Sequence, residues 1–211
     1  MKRLRNRGRV HRAPLLVPGL LALATSAGVA GGQEFDVDHQ AKNLVRFVSR
    51  TTVQSFDGTT DRIDGYVLLG RTPLGPASAG GSELYFEVDL ASLDTGIGLR
   101  NRHMRDEYLE VARYPFATYQ GRVVQVDSAD GGVRVTSQGT FSLHGVDKTM
   151  RISCDVVGAG DGYRATCAFP VRLSDFNVAI PRVMFLKLAD EIELNLDFTV
   201  APVKSPNGGT P

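Results

Sequence analysis

Strict alternation of apolar and polar residues governs what this chain can fold into. In ELYFEVDL, Leu84, Phe86, Val88 and Leu90 fall on one side, and Glu83, Tyr85, Glu87 and Asp89 on the other. In EIELNLDFTV, Ile192, Leu194, Leu196 and Phe198 oppose Glu191, Glu193, Asn195 and Asp197. GTFSLHG repeats the pattern, with Phe141 and Leu143 against Thr140, Ser142 and His144. Successive side chains of a strand point to opposite faces, so each segment has one dry and one wet face. Sheets of that kind are antiparallel and bury one side. The pattern predicts strands near 34–38, 42–51, 61–70, 82–90, 116–127, 132–143, 148–157 and 163–172, with a ninth run at 190–200. Gly and Pro punctuate at short intervals, as turns between strands require. A one-sided sheet covers its dry face by closing into a barrel or by stacking as a sandwich. A barrel of about eight strands either fills with its own side chains or holds one small ligand.

Residues 1–30 stand apart from this pattern. Lys2, Arg3, Arg5, Arg7, Arg9 and Arg12 form a basic start, followed by an apolar run from Leu15 to Ala24 and the small residues TSAGVAGG. That is the layout of a secretory signal peptide, with cleavage expected after Ala30. The apolar run falls well short of the roughly 20 residues of a spanning helix. The expected location is therefore periplasmic or secreted. Residues 31–200 have the length of one domain. The end, APVKSPNGGTP at 201–211, is Pro/Gly-rich and polar, as disordered tails are. The whole chain has 24 basic and 23 acidic residues. Without the six basic residues of the leader it carries 18 against 23, a net charge of about −5. That argues against a nucleic-acid partner, since such proteins neutralise phosphates with clustered Lys and Arg.

Both cysteines sit in MRISCDVVGAGDGYRATCAFPVR. The turn AGDG, Ala159 to Gly162, is rich in residues that tolerate positive φ. If Gly158 faces Tyr163 across it, Cys154 faces Cys167. Opposed residues of a non-hydrogen-bonded pair have Cα atoms about 4.5 Å apart, at the short end of disulfide geometry. An oxidising compartment favours the bond. A Cys154–Cys167 disulfide is the expectation; two free buried thiols, or a register one residue off, are the alternatives. Two cysteines without nearby His ligands do not make a zinc site.

Motifs for catalysis are sparse. After the leader the chain has three histidines, His39, His103 and His144. His103 with Asp106 and Glu107 has a helical spacing that suits a metal. One His among charged neighbours is more often a solvated face, and no metal is expected. HGVDK, 144–148, reads as a Gly-containing turn, and His39 beside Asp36 and Asp38 as a surface pair. There is no G-x-S-x-G elbow and no Gly-rich phosphate loop. No catalytic set assembles, and the chain is not read as an enzyme.

LRNRHMRDEYLEVARYPFATY, 99–119, interrupts the strands. Asn101 can cap a short helix over about 100–112. Met104 and Tyr108 share one face of it, Leu109 and Ala112 adjoin them, and Arg100, Arg102, Arg105, Asp106 and Glu110 cover the outside. Tyr114-Pro115 ends it, because the residue before a proline avoids helical geometry. Such a helix either plugs one end of a barrel or forms a lid over a cavity, with Arg102 and His103 at the rim.

FDVDHQAKNLVRF, LASLDTGIGLRNRHMRDEYLEVARYPFATY, GTFSLHGVDKTMRISCDV and RLSDFNVAIPRVMFLKLADEIELNLDFTV together resemble the YceI-like family. The resemblance runs from about Phe35 to Val200. It is most specific in the T-G…R-N-R-H-M…Y-P segment, then in the G-x-F-S-L-H-G-V-D-K hairpin. It implies an all-β fold, an eight-stranded antiparallel lipocalin-like barrel with one short helix and a hydrophobic, ligand-filled interior. It also implies a secreted bacterial protein that binds polyisoprenoids or related lipids. The Arg-Asp pair that often opens the family's helix is Arg100-Asn101 here, and His39 lacks the adjacent Ser usual near the first strand. The family does not depend on a cysteine pair, so Cys154 and Cys167 are a local addition.

On that footing the cavity wall is expected to be built from Val45, Phe47, Phe86, Val88, Phe141, Ile152, Phe169, Met184, Phe185, Leu194 and Phe198, with Arg102, His103 and Met104 from the helix. The apolar loop Val183 to Leu188 would form the mouth or pack against the helix. The ligand would be a hydrophobic lipid, isoprenoid or acyl, with no other cofactor. Exchange at a membrane surface and a homodimer are further expectations. Each buried CH₂ contributes about 0.8 kcal/mol, so some fifteen carbons offer roughly 12 kcal/mol gross; ordering of the chain offsets much of it. A packed barrel serving as a stress-related partner-binding module, and an enzyme acting on a lipid or quinone, are the alternatives.

Overall fold

The computed structural model describes residues 32–50, 55–180 and 189–203 with their side chains, and the backbone alone at 182–183 and 186–187. Residues 1–31, which include the expected signal peptide, residues 204–211 of the expected tail, and both Met184 and Phe185 lie outside the described residues. The strands are Gln33–Val37 (β1), Leu44–Arg50 (β2), Ser55–Thr60 (β3), Ile63–Leu69 (β4), Glu83–Asp89 (β5), Phe116–Ala129 (β6), Gly132–Leu143 (β7), Val146–Ala159 (β8), Gly162–Arg172 (β9), Arg182–Val183 (β10), Leu186–Lys187 (β11) and Glu191–Pro202 (β12). β10 and β11 form a small separate ribbon. All other strands belong to one antiparallel sheet that closes on itself, in the order β1-β4-β5-β6-β7-β8-β9-β12 and back to β1.

This is a barrel and not a sandwich. β12 meets β9 along one edge. Along the other it meets β2 at Ile192–Asp197 and β1 at Val200–Pro202. β1 and β2 are therefore two halves of one stave, parted at 38–43. β3 and β4 halve the next one, since β3 pairs with β2 and β4 with β1. Eight staves result, although the sequence pattern separates β1 from β2 and passes over β3. SFDGTT lacks clear alternation because Gly58 takes an inward place. A Cβ there would lie 2.3 Å from the Phe47 ring, so the bare backbone makes room for that ring. The strand β12 also runs through Pro202, two residues into the segment read as tail.

The inward residues follow from the alternation. Phe35, Val45, Ile63, Leu84, Tyr119, Phe141, Ile152, Val171 and Phe198 are all buried. β6 carries a bulge between Val123 and Gln125, which lets Val123 and Val126, three apart, both face in. The outer face is wet and carries cross-strand ion pairs, Arg134 with Asp155 and Arg164 with Asp197. Cys154 stands opposite Cys167 in the β8–β9 hairpin, Cα atoms 4.3 Å apart, and the two are bonded. The HGVDK turn joins β7 to β8, with His144 at φ 52°.

Candidate functional site

The barrel interior is not filled. It holds a cavity of about 690 Å³, within the range of about 300–1,000 Å³ that accommodates a small organic ligand. Every described wall residue expected from the strands lines it: Val45, Phe47, Phe86, Val88, Phe141, Ile152, Phe169, Leu194 and Phe198. Cys154 and Cys167 line it too, so the disulfide is part of the wall. Rings pack edge to face inside, Phe86 on Phe198 at 4.9 Å and Phe141 on Phe176 at 5.4 Å.

One end is covered by the segment after β5. The helix spans Gly98–His103 (α1) and widens into a single π-type turn, Met104–Tyr108. It is thus earlier and shorter than 100–112. It stops because Glu110 adopts a left-handed conformation, φ 46°. Asn101 is not its cap; Ile97 holds that position. Instead the Asn101 Oδ1 accepts from the Thr95 N–H at 2.8 Å and the Thr95 hydroxyl at 2.6 Å, and its amide donates to Asp94 at 2.7 Å. The amide hydrogen bonds from Asn101 and the Gly96 backbone hold the Asp94 carboxyl below the usual range.

Two arginines assigned to the outer face turn inward, because the 93–95 loop leaves oxygens in need of donors. Arg100 donates through Nε to the Thr95 hydroxyl at 2.8 Å and through Nη2 to the Thr95 carbonyl. Arg105 donates to the Leu93 carbonyl at 2.7 Å. Arg102 is the reverse case: it is exposed and does not line the cavity, because its position on α1 faces away from the barrel. His103 and Met104 do line it. His103 is half-exposed at the rim, 3.9 Å from Glu107. Among the described residues no three His, Cys, Asp or Glu gather as a metal site.

The polar side chains of the lining are few, and most are already engaged. The Tyr119 hydroxyl lies 3.1 Å from Ser137 Oγ, which donates to the Ile152 carbonyl at 3.2 Å. Burial pushes the Tyr119 phenol up. The Tyr163 hydroxyl accepts from the Leu74 N–H at 3.1 Å. Ser49 is different: it is buried, lines the cavity, and its Oγ has no hydrogen-bond partner. No carboxylate stands among the described lining residues. The lining is otherwise apolar, and its few polar groups are spread along the barrel, from Ser49 opposite Ile192 to Tyr163 opposite Val200.

A family model described as the YceI-like domain matches residues 35–200. The chain belongs to the YceI-like family. Protein YceI of Escherichia coli is 26% identical over 166 residues, 74% of this chain and 82% of that protein. A UPF0312 protein of Vibrio cholerae is 27% identical over 175 residues, 79% and 88% of the two chains. Among solved structures, BcnA of Burkholderia cenocepacia superposes with a TM-score of 0.64 at 22% identity, over 77% of this chain and 98% of that one. A polyisoprenoid binding domain from Saccharophagus degradans, implicated in plant cell wall breakdown, gives 0.59 at 19% identity, over 82% and 99%. These structures share the fold of this YceI-like barrel. The lining also includes Ser49, Phe56, Ile97, Leu99, Arg100 and Tyr108, none of which the sequence reading placed there. For two of them the signal was present. Ser49 continues the inward series Val45, Phe47, and Arg100 stands one turn before Met104.

Proposed function

We propose that this YceI-like protein binds one long-chain lipid, isoprenoid or acyl, inside the barrel, as a carrier or sequestering protein. The observation that carries this reading is the cavity of about 690 Å³ with an almost wholly apolar lining. Removing a chain lipid from water supplies the driving force, about 0.8 kcal/mol per CH₂, and an apolar tunnel selects by length and width more than by chemistry. The likeness to a polyisoprenoid binding domain supports the same class of ligand. Ile97 and Leu99, 53% and 60% exposed, stand at the cavity rim. Apolar side chains there suit exchange of the lipid at a membrane surface. The leader-like N-terminus and the disulfide support a periplasmic or secreted location. Native mass spectrometry of the exported protein tests the proposal. The expected result is one lipid mass per chain, released by organic extraction. Protein that carries no lipid and takes up none of an added series of prenols and fatty acids would overturn it.

A further inference from the structure

We infer that the bound lipid carries an anionic oxygen head, held at the helix end of the cavity by Ser49 and Arg100; this rests on the lipid-binding reading above. Ser49 is 2% exposed, lines the cavity, and its hydroxyl has no hydrogen-bond partner. A buried hydroxyl left unpaired is destabilising, so such groups in folded proteins call for an explanation. A ligand atom that completes the pair provides one. The backbone fixes where the hydroxyl points, because Val45, Phe47 and Ser49 take alternate, inward places along β2.

Arg100 approaches the neighbouring strand from α1. Phe56 is directly opposite Ser49 in the β2–β3 pairing. The Arg100 guanidinium lies over the Phe56 ring, 4.8 Å from its centre. Two of its N–H groups are fastened to Thr95, which fixes the guanidinium plane. Among the described residues no carboxylate forms an ion pair with Arg100, and none lines the cavity. A fixed, half-buried positive charge beside an unpaired hydroxyl complements a carboxylate or a phosphate ester. Ser49 would donate to one oxygen and the free N–H groups of Arg100 to another, the charge-assisted geometry in which arginine is strongest. The tail would then run past Phe47 and Leu194 toward Phe86 and Phe198, deeper along β12.

The test uses delipidated full chain and two fluorescent probes that differ only in the head, cis-parinaric acid and its methyl ester. The expected result is acid bound about tenfold more tightly than ester, as one charge-assisted hydrogen bond implies. Arg100→Gln should bring the ratio to near one. Ser49→Ala should weaken the acid severalfold and yet raise the Tm of the lipid-free protein, because the unpaired hydroxyl is gone. A merely structural serine would lower it. Arg100 also fastens the Thr95 loop, so if Arg100→Gln fails to fold, Ser49→Ala decides the question. Equal binding of acid and ester by the wild type overturns the anionic head and leaves the lipid-binding reading standing. Binding of neither probe overturns both.

Discussion

At the scale of single residues, Asn101 shows how a polar side chain can set the position of a whole lid. Read as a cap, it would satisfy the first N–H groups of a helix. In the fold it lies inside α1 and reaches back to Thr95 and Asp94. Thr95 is buried, so Asn101→Ala leaves its N–H without a partner. The expected loss is about 1–3 kcal/mol, read as a lower midpoint in urea, together with faster hydrogen exchange over 95–108. Asn101→Asp keeps an accepting oxygen for Thr95 but sets a second carboxylate against Asp94 in place of the amide donor, so at neutral pH it should recover little of the loss. A second residue-scale expectation concerns pH. Hydrogen bonding from Arg164 holds the Asp197 carboxyl below its ordinary value. A carboxyl lowered in this way stabilises the fold above its unfolded pKa, and the contribution disappears as pH falls through the folded value. Asp197→Asn should therefore melt slightly lower than wild type at neutral pH. The gap should close below about pH 4, where the unfolded carboxyl protonates. A gap that widens in acid would contradict the sign of this coupling.

At the scale of elements, legibility in the sequence follows the amount of alternation. β5, β7, β9 and β12 each present a clean dry face, and each was expected close to its observed limits. The cysteine register was legible because a Gly-rich turn fixed it: Gly158 does face Tyr163, and Cys154 does face Cys167. β3 was not legible. Its inward positions include Gly58, which has no side chain to declare a face, and Thr60 is polar yet buried. The inward turn of Arg100 and Arg105 was hidden for a related reason. Charge along a helix is read as solvent-facing, whereas here two guanidinium groups answer bare loop carbonyls. Strand curvature is a third property that alternation does not report. Gly121 and Gly139 face each other across β6 and β7 at inward places. A Cβ on Gly139 would lie 2.2 Å from the Gln120 carbonyl oxygen. Close backbone approach of this kind marks a bend at a barrel corner. Gly139→Val should cost about 1–3 kcal/mol, whereas Gly80→Ala, where a Cβ meets open space, should be close to neutral. Urea midpoints of the two variants compare them directly.

At the scale of the whole molecule, the barrel leaves its centre empty while its wall is well packed. Voids of this size forgo the contacts that a filled core provides. A bound chain restores them, and anything that binds only the folded state raises its stability, by about 2.7 kcal/mol at a hundredfold excess over Kd. Occupancy of the interior is therefore measurable as a shift in melting temperature, and it can be blocked from within. Ala165 faces the cavity from β9, between Val156 on β8 and Phe198 on β12. Ala165→Phe adds a ring where there is space, and burial of that ring contributes roughly 1.5–3 kcal/mol if it meets no clash. The expected outcome is a lipid-free protein that melts at or above the wild-type temperature and no longer gains stability from added palmitate. Exposed Val157 lies on the same hairpin with its side chain outside; Val157→Phe should leave the palmitate shift intact. If Ala165→Phe and wild type show the same palmitate shift, the lipid sits somewhere other than the barrel interior. If the variant instead melts well below wild type, the added ring meets a clash at that point of the wall.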